Sequence, residues 1–263
     1  ILDKKLIKYI YNKYKIDIIF HAAAFKHVNI LENNIYQAVE NNVYGTMNLL
    51  NCIDDRDISF ILISTDKAAK PSSILGMTKR IAEITIHTYF QNHKINIVRF
   101  GNVFGSKGSA INLFIEQINN GGPITITNKK VKRFFMSIKE ACNLVMQCSQ
   151  LKSKSRMFIL NMGQPLLLLD IVKKLINQKR EKNPNFKIDI EEIGLKPGEK
   201  IEEILTSNNK LSRTIHPEIL CAQEPIYSRK KLDYFFSRLD NYFNKLDNKR
   251  LKLCMKNFLK KEI

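Results

Sequence analysis

The chain alternates between two hydrophobic periods, one that suits helices and one that suits buried strands. Leu2, Leu6, Tyr9, Ile10 and Tyr14 fall on one helical face, and the apolar block Ile16-Asp-Ile-Ile-Phe20 then reads as a short buried strand. The exchange repeats: a helix over 35–53 leads into a strand at 59–63, and a helix over 73–91 leads into a strand at 95–100. Strands alternating with helices of this length predict βαβ units, hence an α/β fold with a parallel sheet covered by helices on both faces.

Beyond Phe100 the rhythm loosens into a glycine-bearing loop from Gly101 to Gly108, a helix over 111–119 and a strand at 124–126. Ser137-Ile-Lys-Glu140 has the spacing of a capping box, in which serine and glutamate satisfy each other's free backbone donors, so it opens another helix. Further strands are predicted at 157–160 and 188–193, with helices over 169–178 and 200–205. From Ser228 onward Leu232, Phe235, Phe236, Leu239, Tyr242, Phe243 and Leu246 recur at helical spacing as a packing face. The pattern divides the chain into a sheet-forming region over 1–160, a smaller mixed α/β region over 161–227 and a helical tail over 228–263.

Composition narrows the partners. Of 263 residues 44% are hydrophobic, ample for a core, and 43 Lys and Arg against 25 Asp and Glu give a net charge of +18. The cations are spread along the chain with no nucleic-acid-binding motif, so they read as solvated surface, and no nucleic-acid partner is expected. The five cysteines, at 52, 142, 148, 221 and 254, form no CxxC pair, so neither a metal site nor a disulfide framework is expected and a reducing cytosol fits. No run reaches the roughly 18 apolar residues of a membrane span.

The chemistry gathers in STDKAAKPSSILGMTKR, residues 64–80, directly after the strand at 59–63. In open parallel sheets ligands bind beyond the carboxyl ends of the strands, which is where Ser64, Thr65, Asp66 and Lys67 must lie. An adjacent Asp66 and Lys67 there could act as general acid and base. The plainer alternative is an aspartate capping the next turn beside a solvated lysine.

Lys79 stands where the short-chain dehydrogenase/reductase superfamily carries the lysine of Tyr-x-x-x-Lys, but the tyrosine position holds Leu75, which can neither give nor take a proton. The whole run resembles one branch of that superfamily, the CapD-like polysaccharide-biosynthesis nucleotide-sugar 4,6-dehydratases. The resemblance is carried by HAAAFKHV at 21–28, NNVYGTMNLL at 41–50, residues 64–80, VRFGNVFGSKGS at 98–109, GGPITIT at 121–127, RFFMSIKEA at 133–141 and GLKPGEKIEE at 194–203, in the family's order.

The resemblance implies a Rossmann-like doubly wound sheet that binds NAD, with substrate-contacting insertions from about residue 101 and a UDP-sugar, UDP-N-acetylglucosamine in particular, as substrate. It implies hydride transfer from C4 of the sugar to NAD+, loss of water across C5 and C6, and return of the hydride to C6. Lys67 would remove the C5 proton, Asp66 would protonate the departing C6 hydroxyl, Thr65 would bond near the C4 oxygen, and Lys79 would hold the cofactor's ribose. Ala22, Ala23, Ala24 and Asn42 would adjoin the cofactor. Lys26, Asn102, Ser109, Arg133, Lys196 and Glu199 would contact the sugar nucleotide, with His27 more a packing histidine than a catalytic one. Lys196 replaces the usual arginine, keeping charge without the bidentate fork. A nucleotide-sugar epimerase and a catalytically silent sugar-nucleotide-binding subunit are the alternatives; Asp66-Lys67 and the absent tyrosine speak against the first, and Leu75 motivates the second.

Family members open with a strand, a GxGxxG turn and a helix that hold the cofactor pyrophosphate, whereas the first glycine here is Gly45. The expectation is a sheet without its first strands, completed by a separate or preceding N-terminal segment. By analogy the enzyme would be a homo-oligomer in the cytoplasm, placed at the inner face of the membrane by that preceding part.

Overall fold

The computed structural model describes residues 1–53, 57–152, 156–206, 211–225 and 227–260. Helix α1 (Lys4–Lys13) is capped by Asp3, whose side chain accepts from the Leu6 N–H, and leads into strand β1 (Ile18–His21). After α2 (Val28–Leu31) come α3 (Ile35–Val39), a π-helical turn over Glu40–Tyr44 and α4 (Gly45–Asn51), so the single helix expected over 35–53 is interrupted by that wider turn. Strand β2 (Ser59–Ile63), helix α5 (Ile74–Tyr89) and strand β3 (Ile95–Arg99) follow.

Short strand β4 (Asn102–Val103), helix α6 (Ala110–Asn119) and strands β5 (Ile124–Ile126), β6 (Lys132–Arg133) and β7 (Phe135–Met136) fold over the sheet ends. Then come α7 (Ile138–Cys148), β8 (Met157–Leu160), β9 (Leu166–Leu167), α8 (Leu168–Lys182), β10 (Ile190–Glu192), β11 (Leu211–Arg213), β12 (Ile219–Ala222), α9 (Arg229–Asn244) and α10 (Asn248–Lys260). The capping box of α7 forms as the spacing predicts: Glu140 N–H donates to Ser137 Oγ at 3.1 Å and Ser137 N–H to Glu140 Oε2 at 3.3 Å.

The main sheet has the order β1-β2-β3-β8-β12-β11, parallel through β8 and antiparallel beyond it. Strand side chains alternate between faces. Phe60, Leu62, Ile95, Ile97 and Met157 meet α1, α4 and α5 on one face, while Ile61, Val98, Phe158 and Leu160 meet α7 on the other. Helices therefore cover both faces, the expected architecture. The region over 161–227 is not wholly separate, because β11 and β12 return to this sheet. The tail packs back too: Leu232, Phe235, Phe236 and Leu239 of α9 join Leu251 and Met255 of α10 against Ile74, Met77, Ile81 and Ile84 of α5.

Two expectations need correction. Strand β1, expected to be buried, lies at the edge of the sheet beside β2 and leaves Ile18 and Phe20 exposed. No helix forms over 200–205: Lys132 N–H donates to Ile201 O at 2.8 Å and residues 132 and 202 bridge in parallel, so the segment is drawn out along β6. Among the described residues no helix is long and apolar enough to cross a membrane.

Candidate active site

The carboxyl ends of β1, β2 and β3 open into a cleft of about 670 Å³, walled on its far side by α6, β5 and the segment 193–203. Strand β2 leads to Ser64, Thr65 and Lys67 at the cleft floor, with Asp66 behind them. Thr65 holds an extended backbone and its hydroxyl accepts the Lys67 N–H at 3.4 Å, capping a short turn over Asp66–Ala68. The cap is the threonine, so the aspartate is free of that duty.

Asp66 is fully buried and does not line the cleft. Its Oδ1 accepts from the Thr65 hydroxyl at 2.8 Å and from Lys67 Nζ at 3.0 Å, while Oδ2 has no hydrogen-bond partner. Lys67 does line the cleft; its Nζ also lies 3.5 Å from Asn102 Oδ1 and 3.8 Å from Glu203 Oε1. Thr65 and Lys67 thus stand between Asp66 and any ligand, and Glu203 adds a carboxylate that the sequence reading did not single out.

Helix α5 starts where Ser73 accepts the Gly76 N–H, and it is buried on nearly every side. That burial carries Lys79 inside: desolvation pulls its ammonium down to about 8, partly offset by Glu83. Lys79 lines the cleft with no hydrogen bond or ion pair among the described residues, so it is free to meet a polar ligand. Leu75, one turn earlier, lines the same wall. Ala22 and Ala24 border the cleft beyond β1, where small side chains leave room for a flat ligand; Ala23 points elsewhere and is exposed.

Asn42 does not line the cleft. Its Oδ1 accepts from Phe25 N–H at 2.8 Å and its Nδ2 donates to Phe25 O at 3.0 Å and Thr78 Oγ1 at 3.2 Å, so it clamps the loop after β1 to α5. Beside it, burial and Lys79 push the His21 imidazole down to about 3, leaving it neutral. Thr46 gives its single hydroxyl proton to Asn42 O, so His21 Nε2 carries the proton of the 2.8 Å bond to Thr46.

The rim holds the remaining candidates. Lys26 is exposed at the mouth, and the His27 ring packs on Gly108, whose positive φ and lack of Cβ make room for it. Ser109 caps α6 by accepting the Asn112 N–H at 3.4 Å. Arg133 gives Nη1 to the Lys132 and Ile201 carbonyls and Nη2 to Glu199 Oε1 at 3.1 Å, so part of its fork is already committed. Glu199 Oε1 also accepts from Thr127 Oγ1 at 2.8 Å, and Oε2 from the Lys196 N–H at 3.2 Å. Lys196 and Glu199 line the cleft with Arg133.

A mainly parallel sheet, helices on both faces and a cleft beyond the strand ends define a Rossmann-like α/β protein. The chain belongs to the family described as polysaccharide biosynthesis protein, whose profile matches residues 1–224. It is 42% identical over 237 residues to the capsular polysaccharide biosynthesis protein CapD of Staphylococcus aureus, covering 89% of this chain and 38% of that protein. The chain spans less than two thirds of the curated relatives it first matches. Among solved structures, Pen from Bacillus thuringiensis superposes with a TM-score of 0.76 at 31% identity, over 87% of this chain and 71% of Pen. DesIV of Streptomyces venezuelae, a dTDP-glucose 4,6-dehydratase solved with NAD, shares the fold at a TM-score of 0.65 and 18% identity, over 78% of this chain and 68% of DesIV.

Proposed function

We propose that this chain carries the catalytic and sugar-binding part of an NAD-dependent 4,6-dehydratase that converts a UDP-N-acetylhexosamine, UDP-N-acetylglucosamine foremost, into its 4-keto-6-deoxy product for surface polysaccharide or glycoprotein synthesis. The observation that carries the reading is Lys67 Nζ at the cleft floor, 3.0 Å from buried Asp66, where the tyrosine position holds Leu75. Family membership and the CapD relative support the class of reaction.

The residues present suit a nicotinamide cofactor: Lys79, buried and unpaired, offers donors for ribose hydroxyls, and Ala22 and Ala24 leave space at the strand end. NAD, when bound, supplies the hydride acceptor for C4 and the donor for C6. The chain's own groups handle protons. Thr65 donates its hydroxyl to Asp66 Oδ1 and so presents its lone pairs to the cleft. The C4 hydroxyl proton can then pass to Thr65 while Thr65 passes its own to Asp66, a route that needs no tyrosine. A ketone at C4 acidifies C5–H. Lys67 takes that proton: the C5–H bond breaks, N–H forms, the pair becomes the C5–C6 double bond, and the C6 hydroxyl leaves as water with a proton drawn from Asp66 by the same Thr65 route. When the hydride returns to C6, Lys67 gives its proton back to C5 and is reset. Lys196, Arg133 and Lys26 at the rim suit a diphosphate by charge.

The test is to incubate the full-length protein with UDP-N-acetylglucosamine and NAD+ and follow loss of one water by mass spectrometry, with Lys67→Ala as control. A dehydrated product absent from the control is expected. A second reading, a sugar-nucleotide-binding subunit without turnover, is favoured by Leu75; tight binding with no water loss would establish it instead.

A further inference from the structure

Glu203 occupies a place that the reaction scheme above leaves unused. Its side chain is 3% exposed, yet it borders the cleft beside Lys67. Oε1 is 3.8 Å from Lys67 Nζ; Oε2 makes no hydrogen bond and has only Lys200 Nζ at 3.6 Å. A carboxylate this buried is costly unless its charge is used. Its neighbour Glu202 makes the contrast: exposed, it meets Lys132 Nζ at 2.8 Å in an ordinary surface pair. The extended backbone pinned to β6 turns alternate residues to opposite sides, so Glu202 faces water and Glu203 faces Lys67. Lys200 itself donates to the Lys70 carbonyl, which ties the same segment to the turn after Lys67.

We infer that Glu203 is a positioning residue for Lys67: its carboxylate, 3.8 Å from Nζ, draws the lysine side chain toward the cleft while Nζ keeps its 3.0 Å bond to Asp66. The inference rests on the dehydratase reading for its catalytic consequence, but the interaction itself is testable without turnover. In the full-length protein Glu203→Gln, close in shape, should lower kcat about 10- to 100-fold with KM within about twofold, and Glu203→Asp should restore part of it. Labelling of Lys67 by an amine-acylating reagent at fixed pH, read by peptide mass spectrometry, should be several-fold faster in Glu203→Gln than in the parent, because one carboxylate that holds the amine is gone. Thermal unfolding supplies the control for a structural role: the effect of Glu203→Gln should shrink in a Lys67→Met background. Equal destabilisation with and without Lys67, or unchanged labelling together with parental kcat, would overturn the inference. Should the parent show no water loss, the dehydratase reading falls, and the labelling and the cycle still decide the role of Glu203.

Discussion

Two clusters of buried charge lie on either side of the end of β2, and they are built to opposite standards. Behind the strand, Glu83 accepts Arg99 Nε at 2.7 Å, Arg99 Nη2 at 2.5 Å and the Ser64 hydroxyl at 2.6 Å. Arg80 and Arg99 both reach Glu224, at 2.7 and 2.9 Å, and Arg80 also donates to Tyr227. Two cations meet two anions with short bonds, and Arg99 pulls Glu83 down to about 2 despite its burial. In front, Asp66, Lys67 and Glu203 stand 3.0 and 3.8 Å apart with Asp66 Oδ2 lacking any hydrogen bond. The rear set is not fully satisfied either, since Glu224 Oε2 makes no hydrogen bond, but Arg80 Nη1 stands 2.7 Å from it; the front set keeps its spare capacity at a cleft, where a ligand can use it. Ser64 and Thr65, adjacent in sequence, each serve one cluster, so the rigid set fixes the position of the reactive one.

The comparison breaks first where the rear cluster is broken. Arg99→Met strips Glu83 of two donated bonds and leaves it only Ser64 and Arg80, an underpaired buried carboxylate; a loss of about 3–5 kcal/mol in urea unfolding is expected. In the front cluster Lys67→Met should reverse the balance. Turnover falls about 10²- to 10⁴-fold, as for loss of a general base, and because buried Asp66 is left with the Thr65 hydroxyl alone, unfolding free energy falls by about 1–3 kcal/mol, less than for the rear cluster. Equal damage to stability in both variants would erase the distinction between the clusters.

Lys79 sharpens it. Its folded value of about 8 lies below the 10.5 of an unfolded lysine, so between those values the unfolded chain binds more protons and stability rises with pH. Below pH 8 the cost of burying the charge is fully present, up to about 3 kcal/mol at 1.36 kcal/mol per unit. Lys79→Met should therefore raise the melting temperature at pH 7, the gain fading above pH 10, and should abolish NAD binding measured by calorimetry.

Most of the sheet was legible because its strands are largely apolar blocks and Ser137-Ile-Lys-Glu140 announces a helix start, local signals that tertiary packing did not override; the caps of Ser73 and Ser109 emerged only in the structure. The floor of the site was legible for the same reason: Thr65, Asp66 and Lys67 follow a strand that had to be buried, so their place was fixed by topology. Glu203 was not, since residues 200–205 have a helical look and only pairing with β6 makes them extended. Nor could the sequence say that Asp66 would sit behind Thr65, or that Arg133 would spend donors on the Ile201 carbonyl and Glu199, because both follow from contacts across 60 or more residues or from a side-chain rotamer.

Leu75 gives the smallest expected effect. It is nearly buried on the cleft wall and shares a hydrophobic cluster with Ile74, Met77 and Tyr227. Leu75→Met conserves volume and should cost under about 1.5 kcal/mol in stability, with turnover within about threefold of the parent. Leu75→Tyr brings a phenol to the wall one turn before Lys79 and overpacks the cluster, costing about 1–3 kcal/mol. If Thr65 and Asp66 already carry the C4 proton, the added hydroxyl has nothing to accept and turnover should not rise. An increase of tenfold or more in Leu75→Tyr would show that the proton route at C4 is the weak link, and would move the burden of that step from the front cluster to the helix wall.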